Sequence, residues 1–193
     1  PIVAACGCHM AKVSGKGLGI TGGTIDKLES IPGFNVNLTE KQFITNLKNV
    51  GFVDSSQTKK LVPLDKVIYN LRNNSGTTES LPLIASSIMS KKIASGADII
   101  LIDIKVGKGA LIKTKKDATK LSTWMKKIGN VYNKKVVTII TDMNTPLSNS
   151  IGNRLEVEEA IKVLKGEKCR LYDISKEIAS ILISLAKKVT IDE

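Results

Sequence analysis

The residue types best suited to chemistry are concentrated in a glycine-rich stretch at positions 14–29. Five glycines fall within nine residues and hydroxyl side chains flank them; the glycines are Gly15, Gly17, Gly19, Gly22 and Gly23, and the hydroxyls are Ser14, Thr21 and Thr24. Glycine lets a ligand approach backbone N–H groups. N–H groups that lead into a helix attract anions, because they are unpaired and lie at the positive end of the helix dipole. The stretch therefore predicts a site for phosphate or another anion, with a plain glycine-rich connection as the alternative.

One known phosphate-binding spacing occurs within this stretch. Gly17, Gly19 and Gly22 match the G-x-G-x-x-G pattern of dinucleotide-binding loops, which is a weak signal when it stands alone. The sequence has no G-x-x-x-x-G-K-[ST] pattern, so a Walker-type loop is not supported.

A second group of polar side chains is associated with a predicted helix at 81–94. Ser87 and Lys91 are four positions apart and share one face of that helix, and Arg72 precedes it. An adjacent apolar side carries Leu83, Ile84 and Ile88. An apolar slot edged by such donors suits a flat ring with carbonyl groups. A Ser–Lys pair at this spacing is more often part of a solvated face, and the pattern alone leaves both readings open.

Strands that alternate with helices are predicted to position these residues. Apolar runs at 98–106 and 135–141 are typical of buried parallel strands. The segment 1–11 predicts a buried strand, or a strand and turn, that leads into the glycines. Helices are predicted at 24–30, 39–49, 64–71, 81–94, 116–128, 153–165 and 174–188. The pattern predicts an α/β fold with a mostly parallel central sheet flanked by helices.

The composition limits the classes of protein to consider. The chain has 193 residues, of which 42% are hydrophobic, and a formal net charge of +11. Its lysines are spread out and do not alternate with aromatic residues, so we expect no specific binding of nucleic acid. A basic nucleic-acid-binding module remains an alternative function. No stretch approaches a membrane span and no signal peptide is visible, so no membrane partner is expected.

The cysteines and the single histidine offer little for a metal site. Cys6, Cys8 and His9 lack the spacing of a typical zinc site, and the two thiols are expected to be buried in a strand. Three cysteines give no disulfide framework, which favours a cytoplasmic location. Because the chain begins with Pro1 rather than Met, we expect it to begin inside a longer one.

The glycine-rich stretch and several later blocks closely resemble the thymidine and pyrimidine-nucleoside phosphorylases. The first block runs from Val13 to Phe34. The others follow in the same order over nearly the whole chain: Leu71-Arg72, Leu81-Pro82-Leu83-Ile84 through Lys92, Asp103-Ile104-Lys105-Val106-Gly107-x-Gly109-Ala110, Thr141-Asp142-Met143-Asn144 and Gly152-Asn153-x-Leu155-Glu156-Val157. The resemblance implies a pentosyltransferase of pyrimidine salvage. Such an enzyme reversibly cleaves thymidine, deoxyuridine or uridine with inorganic phosphate, giving free base and (deoxy)ribose 1-phosphate without an organic cofactor.

The resemblance also assigns roles to particular residues. It implies that two hydroxyls bind phosphate, that three polar side chains bind the base and stabilise it as it leaves, that apolar side chains line the base pocket, and that two carbonyls and one carboxylate hold a monovalent cation such as K⁺. The phosphate-binding hydroxyls are those of Ser14 and Thr24, and the base-binding side chains are Arg72, Ser87 and Lys91. The pocket-lining residues are Leu18, Ile84 and Leu111, and the cation-binding residues are Leu147, Ser150 and Glu159. For Glu159, an exposed helix residue is an equally weighted alternative.

The resemblance further implies a division into domains. Residues 1–63 form the first part of an α/β domain, 64–95 belong to an inserted small helical domain that binds the base, and 96–193 continue the α/β domain. Members of the family are homodimers. Their second phosphate-binding block, of the Lys-His-Ser-Thr-Gly-Gly type, is absent from this sequence. We therefore expect residues 1–193 alone to be inactive.

The sequence departs from the family at four positions. Ile20 replaces a common His, Asn73 a common Asp, Leu111 a common Phe, and Lys108 a small residue. These changes leave open an altered base choice, an altered rate or a loss of activity. A phosphoribosyltransferase of related architecture is a further alternative, but no acidic pair suited to Mg²⁺–pyrophosphate accompanies the glycines.

Overall fold

The computed structural model describes residues 1–17, 22–57 and 62–191. The helices within these ranges are α1 (Ile2–Ala5), α2 (Thr24–Glu29), α3 (Glu40–Val50), α4 (Pro63–Asn74), α5 (Leu81–Ala94), α6 (Lys115–Val131), α7 (Asn153–Leu164) and α8 (Arg170–Lys187). The strands are β1 (Met10–Ser14), β2 (Phe52–Ser56), β3 (Ile99–Val106) and β4 (Lys135–Asp142). The chain divides into two compact units: unit 1 is Pro1–Ser56 with Leu147–Glu193, and unit 2 is Gln57–Pro146.

Unit 1 is built on two parallel strands, β1 and β2, whose last residues, Ser14 and Ser56, lie opposite each other. Helix α3 leads into β2 because its ends are well specified. Thr39 caps it by accepting the N–H of Gln42 at 3.3 Å, while the Gln42 side chain accepts the N–H of Thr39 at 2.9 Å. Gly51 ends the helix at a φ of 75°, a conformation that favours glycine.

Unit 2 is built on the parallel pair β3 and β4, which is in register from Ile99 opposite Lys135 to Val106 opposite Asp142. One face of β3 points into the core through alternate isoleucines, as a strand's period of two requires. The buried core joins β3 to α5 and α6; it contains Ile84, Ala85, Met89, Ile100, Ile102, Ile104, Ile112, Ala118, Leu121 and Met125.

The predicted α/β class and the parallel pairing are confirmed, and the described strands form two pairs, one in each unit. All seven predicted helices are present, with α5 at its predicted bounds. The segment predicted as helical at 64–95 comprises α4 and α5, which lie in unit 2 with β3 and β4. Among the described residues, every helix is too short or too polar to span a membrane.

Three local predictions are wrong. The strand expected over 1–11 begins only at Met10, because Ile2–Ala5 forms α1; a short apolar run does not distinguish helix from strand. Cys6 and Cys8 lie between α1 and β1 rather than in a strand, exposed and half-buried respectively. Strand β4 is partly exposed along its length, because only β3 pairs with it among the described residues.

Candidate active site

The predicted phosphate-binding hydroxyls lie where the glycine-rich stretch leaves β1 and enters α2, within unit 1. Ser14 is the buried last residue of β1, and Thr24 is the exposed first residue of α2. The backbone next to each is joined by a hydrogen bond from the N–H of Ile25 to the carbonyl of Gly15 at 3.4 Å. The fold therefore connects the segments that carry the two hydroxyls.

Glycine is required at position 23 because the chain passes close to itself there. A Cβ on Gly23 would lie 2.4 Å from the Gly17 nitrogen and 2.4 Å from the Lys16 carbonyl carbon. Both contacts are with backbone, which cannot swing away as a long side chain can. The two ends of the glycine-rich stretch are thus packed against each other.

The N–H groups of this stretch have an internal acceptor, the carboxylate of Asp26. Its Oδ2 accepts the N–H of Gly17 at 2.7 Å and that of Gly23 at 2.8 Å. Partial burial raises the pKa of Asp26, but these two N–H groups and nearby Lys16 outweigh it and bring the pKa below its ordinary value. Two of the donors that the sequence offered to an anion are therefore occupied by a side chain of the protein.

The predicted base-binding residues come together in unit 2, where α4 packs against α5. Arg72, Ser87 and Lys91 are 3%, 4% and 7% exposed. The ammonium of Lys91 donates to Ser87 Oγ at 2.6 Å and to the carboxylate of Asp65 at 2.8 Å. Ser87 and Lys91 thus share a helix face, as their spacing predicts, and that face is buried rather than solvated.

Arg72 completes this cluster from α4. Its Nη2 donates to the carbonyl of Thr78, and its Nε has no hydrogen-bond partner among the described residues. Both cations lie over the Tyr69 ring, with the Arg72 guanidinium carbon 5.8 Å and Lys91 Nζ 5.0 Å from its centroid. A buried N–H without an acceptor costs about 1–3 kcal/mol, a cost that an acceptor on a bound ligand would remove.

The electrostatics of the cluster favour an electron-rich ligand. Burial lowers the pKa of Lys91; Asp65 opposes this effect and Arg72 adds to it, leaving a pKa below the ordinary value. Burial likewise lowers the pKa of Arg72, which nevertheless remains a cation. One carboxylate thus faces two buried cations, and negative charge that develops on a ligand would be stabilised there.

The three predicted pocket-lining residues have different surroundings. Ile84 is buried in the core of unit 2. Leu111, between β3 and α6, is 47% exposed. Leu18 lies outside the described residues, as does Ile20.

Of the predicted cation-binding residues, Leu147 and Ser150 precede α7 and Glu159 lies within it, all in unit 1. Glu159 is buried, so the exposed-helix alternative is wrong. Its two carboxylate oxygens accept the N–H groups of Asn149 at 2.9 Å and Ser150 at 2.7 Å. The pKa of Glu159 lies below its ordinary value. The Asn149 N–H lowers this pKa most and Ser150 lowers it further, whereas burial raises it. Leu147 is half-buried nearby in the sequence, and the Ser150 carbonyl accepts the Ser148 hydroxyl at 2.9 Å.

The described ranges contain no group of three or more His, Cys, Asp or Glu that could hold a metal ion. The two hydrogen bonds that Glu159 accepts from the N–H groups of Asn149 and Ser150 fix the loop that precedes α7.

The segments that follow β3 and β4 contact each other beyond the carboxyl ends of these strands, through residues 107–109 and 143–144. The N–H of Met143 donates to Val106 O at 2.7 Å, and the N–H of Gly109 donates to Met143 O at 2.9 Å. Gly107 has a φ of 142°, and a Cβ there would lie 2.7 Å from the Asn144 nitrogen. Close backbone contact explains the glycines at this edge, where open α/β sheets bind ligands.

Sequence reasoning missed four residues that build these clusters: Gln57, Asp65, Tyr69 and Asp26. Signals for three of them were present. Asp65 lies four positions before Tyr69 and Tyr69 three positions before Arg72, so all three share one face of α4. Asp26 follows the last glycine by three positions, as an acceptor for helix N-terminal donors often does.

Comparison with known proteins identifies the family. Residues 1–190 match the family model described as "Glycosyl transferase family, a/b domain". Curated proteins named pyrimidine-nucleoside phosphorylase are 50% identical in Staphylococcus epidermidis, over 98% of this chain and 44% of theirs, and 50% identical in Bacillus subtilis, over 100% and 45%. The one from Geobacillus stearothermophilus is 48% identical over 98% of this chain and 44% of its own. The chain thus spans less than half the length of these curated relatives. A match over almost every residue shows that the chain belongs to the glycosyl transferase family that carries this a/b domain.

Proposed function

We propose that this chain is part of a pyrimidine-nucleoside phosphorylase. The reaction is the reversible attack of inorganic phosphate on C1′ of thymidine, deoxyuridine or uridine, which yields the free pyrimidine and (deoxy)ribose 1-phosphate. Two facts support the proposal: the names of the relatives at 48–50% identity, and the buried cluster of Arg72, Ser87 and Lys91. The cluster carries most weight, because it supplies the donors that a departing pyrimidine needs.

The departing base carries negative charge spread over its ring nitrogens and carbonyl oxygens. Lys91 donates two of its three ammonium hydrogens to Asp65 and Ser87, which leaves one for a ligand. The Arg72 Nε–H has no partner among the described residues. In a buried site these donors act on the developing charge far more strongly than in water, and they need no reorganisation.

For phosphate we propose the hydroxyls of Ser14 and Thr24, at the two ends of the glycine-rich stretch. Asp26 holds Gly17 and Gly23 in place by accepting their N–H groups. The role of this unit is to align phosphate with C1′, an effect of proximity and orientation.

The finer points of the proposal follow the family resemblance. Residues 1–63 and 96–193 belong to an α/β domain and 64–95 to a helical, base-binding one; Leu18, Ile84 and Leu111 line the base pocket. We place the enzyme in the cytoplasm, whose reducing conditions suit free thiols such as those of Cys6, Cys8 and Cys169. The proposal that it is a homodimer rests on the family resemblance alone. It binds K⁺ through Glu159 and the carbonyls of Leu147 and Ser150, an all-oxygen donor set that suits a hard cation.

The test measures base release by the complete product of the gene. Thymidine, deoxyuridine and uridine are each supplied with and without phosphate, and Lys91→Ala is compared with Lys127→Ala, an exposed lysine of α6. We expect phosphate-dependent release that falls by about 100-fold or more in Lys91→Ala and is unchanged in the control. Release that does not need phosphate, or no release from a folded protein, would contradict the proposal. Residues 1–193 alone, run beside it, are expected to be inactive.

A further inference from the structure

Asp65 is the only carboxylate that contacts the cations of the base-binding cluster among the described residues. The Asp65 and Lys91 side chains are 7% and 9% exposed, and Lys91 Nζ lies 2.8 Å from Asp65 Oδ2. The same oxygen accepts a hydrogen bond from Nε2 of Gln57. The ammonium is thus held from one side by a carboxylate that is itself oriented, and from the other by Ser87 Oγ at 2.6 Å.

We propose that Asp65 is a positioning residue for the reaction, which holds the Lys91 ammonium against Ser87 and keeps it charged so that its third N–H meets the departing base. This inference rests on the proposed phosphorolysis. Asp65 itself touches no substrate; it acts through Lys91, and Gln57 acts through Asp65.

Geometry gives the first reason for this role. A lysine side chain has several freely rotating bonds, and fixing it in one conformation costs about 2 kcal/mol of rotamer entropy. Here Asp65 and Ser87 fix it before any ligand binds. The ligand is then spared that cost, and the remaining donor points in one direction.

Charge gives the second reason. The charged and titratable groups of α4 that face Lys91 are Asp65, Arg72 and the Tyr69 ring; on α5 its hydrogen-bond partner is the neutral Ser87. Helix α6 also packs against α5, and within the described ranges no residue of α6 pairs with Lys91. Burial and Arg72 favour loss of the Lys91 proton, and only Asp65 opposes them. Without Asp65, the ammonium would lose its proton at a lower pH.

The test is the pH profile of kcat/KM for the complete gene product and its variants. In Asp65→Asn we expect the alkaline limb to move to lower pH by about 1–3 units, and the plateau to fall by up to about 100-fold, mainly in kcat. Asp65→Glu should restore the position of the limb. Asp98→Asn, the change of a carboxylate that is 97% exposed and pairs with Lys134, should leave the profile unchanged. A loss of activity in Asp65→Asn that is equal at every pH would show a merely structural role and overturn the proposal.

The Lys91→Arg variant tests whether the alkaline limb of the pH profile comes from the titration of Lys91. The guanidinium of Lys91→Arg does not titrate in this range, so Asp65→Asn combined with Lys91→Arg should show no shift of the limb relative to Lys91→Arg alone. A shift that persists there would overturn the proposal. If Asp65→Asn does not fold, Gln57→Leu loosens the same carboxylate and should move the limb in the same direction by less; an unmoved limb would overturn it.

The failure of this inference can be distinguished from failure of the proposed function. An inactive wild-type protein counts against phosphorolysis. The Lys91 titration is then followed directly by NMR of ¹³C-labelled lysine side chains, with the Lys91 signal assigned by its loss in Lys91→Arg. A lower midpoint in Asp65→Asn than in the wild type supports the charge-holding role, and equal midpoints overturn it.

Discussion

Removal of Lys91 alone is expected to destabilise the helical part of unit 2 far more than removal of Lys91 and Asp65 together. Folding takes both side chains almost completely out of water. In Lys91→Met the Asp65 carboxylate stays buried with Gln57 as its remaining hydrogen-bond partner among the described residues. Breaking a buried ion pair in this way costs about 3–5 kcal/mol, whereas replacing both partners with apolar residues is neutral or stabilising.

Native-state hydrogen exchange of the α5 amides, read by mass spectrometry in the complete gene product, measures this difference. A loss of about 3–5 kcal/mol corresponds to exchange roughly 10²- to 4 × 10³-fold faster in Lys91→Met, for amides that open with this unit. The double variant Asp65→Leu with Lys91→Met should return to within about tenfold of the wild type. Lys134→Met, which removes the partner of the solvent-exposed Asp98, is the matched control and should change exchange by less than about fivefold.

Equal protection in the single and the double variants would refute the reasoning. It would mean that water or another donor forms a hydrogen bond with the Asp65 carboxylate once Lys91 is gone. Burial of the pair would then not determine how much stability is lost with Lys91. The experiment also separates the energetic role of the pair from its role in catalysis, because hydrogen exchange needs no substrate.

Three further predictions concern stability, each measured by thermal and urea unfolding. Gly129→Ala should destabilise the fold, because the added Cβ would lie 2.1 Å from Val136 Cγ2. Overpacking costs about 1–3 kcal/mol, whereas the gain in helix propensity is about 1 kcal/mol. Val136→Ala in the same chain should relieve the loss. Asp54→Val should stabilise by about 1–3 kcal/mol, because the buried Oδ1 of Asp54 has no partner among the described residues and its ion pair with Lys12 is partly exposed; a loss of stability would contradict this. Asp26→Asn should destabilise at pH 7 but progressively less as the pH falls below the ordinary pKa of 3.8, because a carboxylate with a lowered pKa loses its contribution when it becomes protonated. A deficit that stays constant down to pH 2 would show that charge is not the cause.

The sequence alone predicted the features that depend on neighbours a few residues apart. Helix α5 has its predicted bounds, with Pro82 in its first turn and Gly96, at a φ of 79°, just beyond its end; Ser80 occupies the N-cap position without a capping hydrogen bond from its side chain. The shared face of Ser87 and Lys91 follows from the helical period. Colinear blocks then indicated the family, which the comparison confirmed.

Local patterns failed where competing signals were nearly equal in strength. The small apolar residues of Ile2–Ala5 suit a helix or a strand, and the choice was made by their surroundings rather than by their order. The burial expected for β4 failed for a related reason, since an apolar run does not show how many neighbours a strand has.

The residue types and spacings of this chain therefore determined its fold class, most of its helices and the identity of its candidate site residues. Only the tertiary structure decided that Lys91 meets Asp65, 26 positions away on another helix, and that Arg72 is buried beside them. It also decided that Asp26 occupies the N–H groups of Gly17 and Gly23. The physical reason is range: hydrogen bonds within a helix are set by neighbours three or four positions apart, whereas burial and the pairing of charges depend on which surfaces the whole chain brings together.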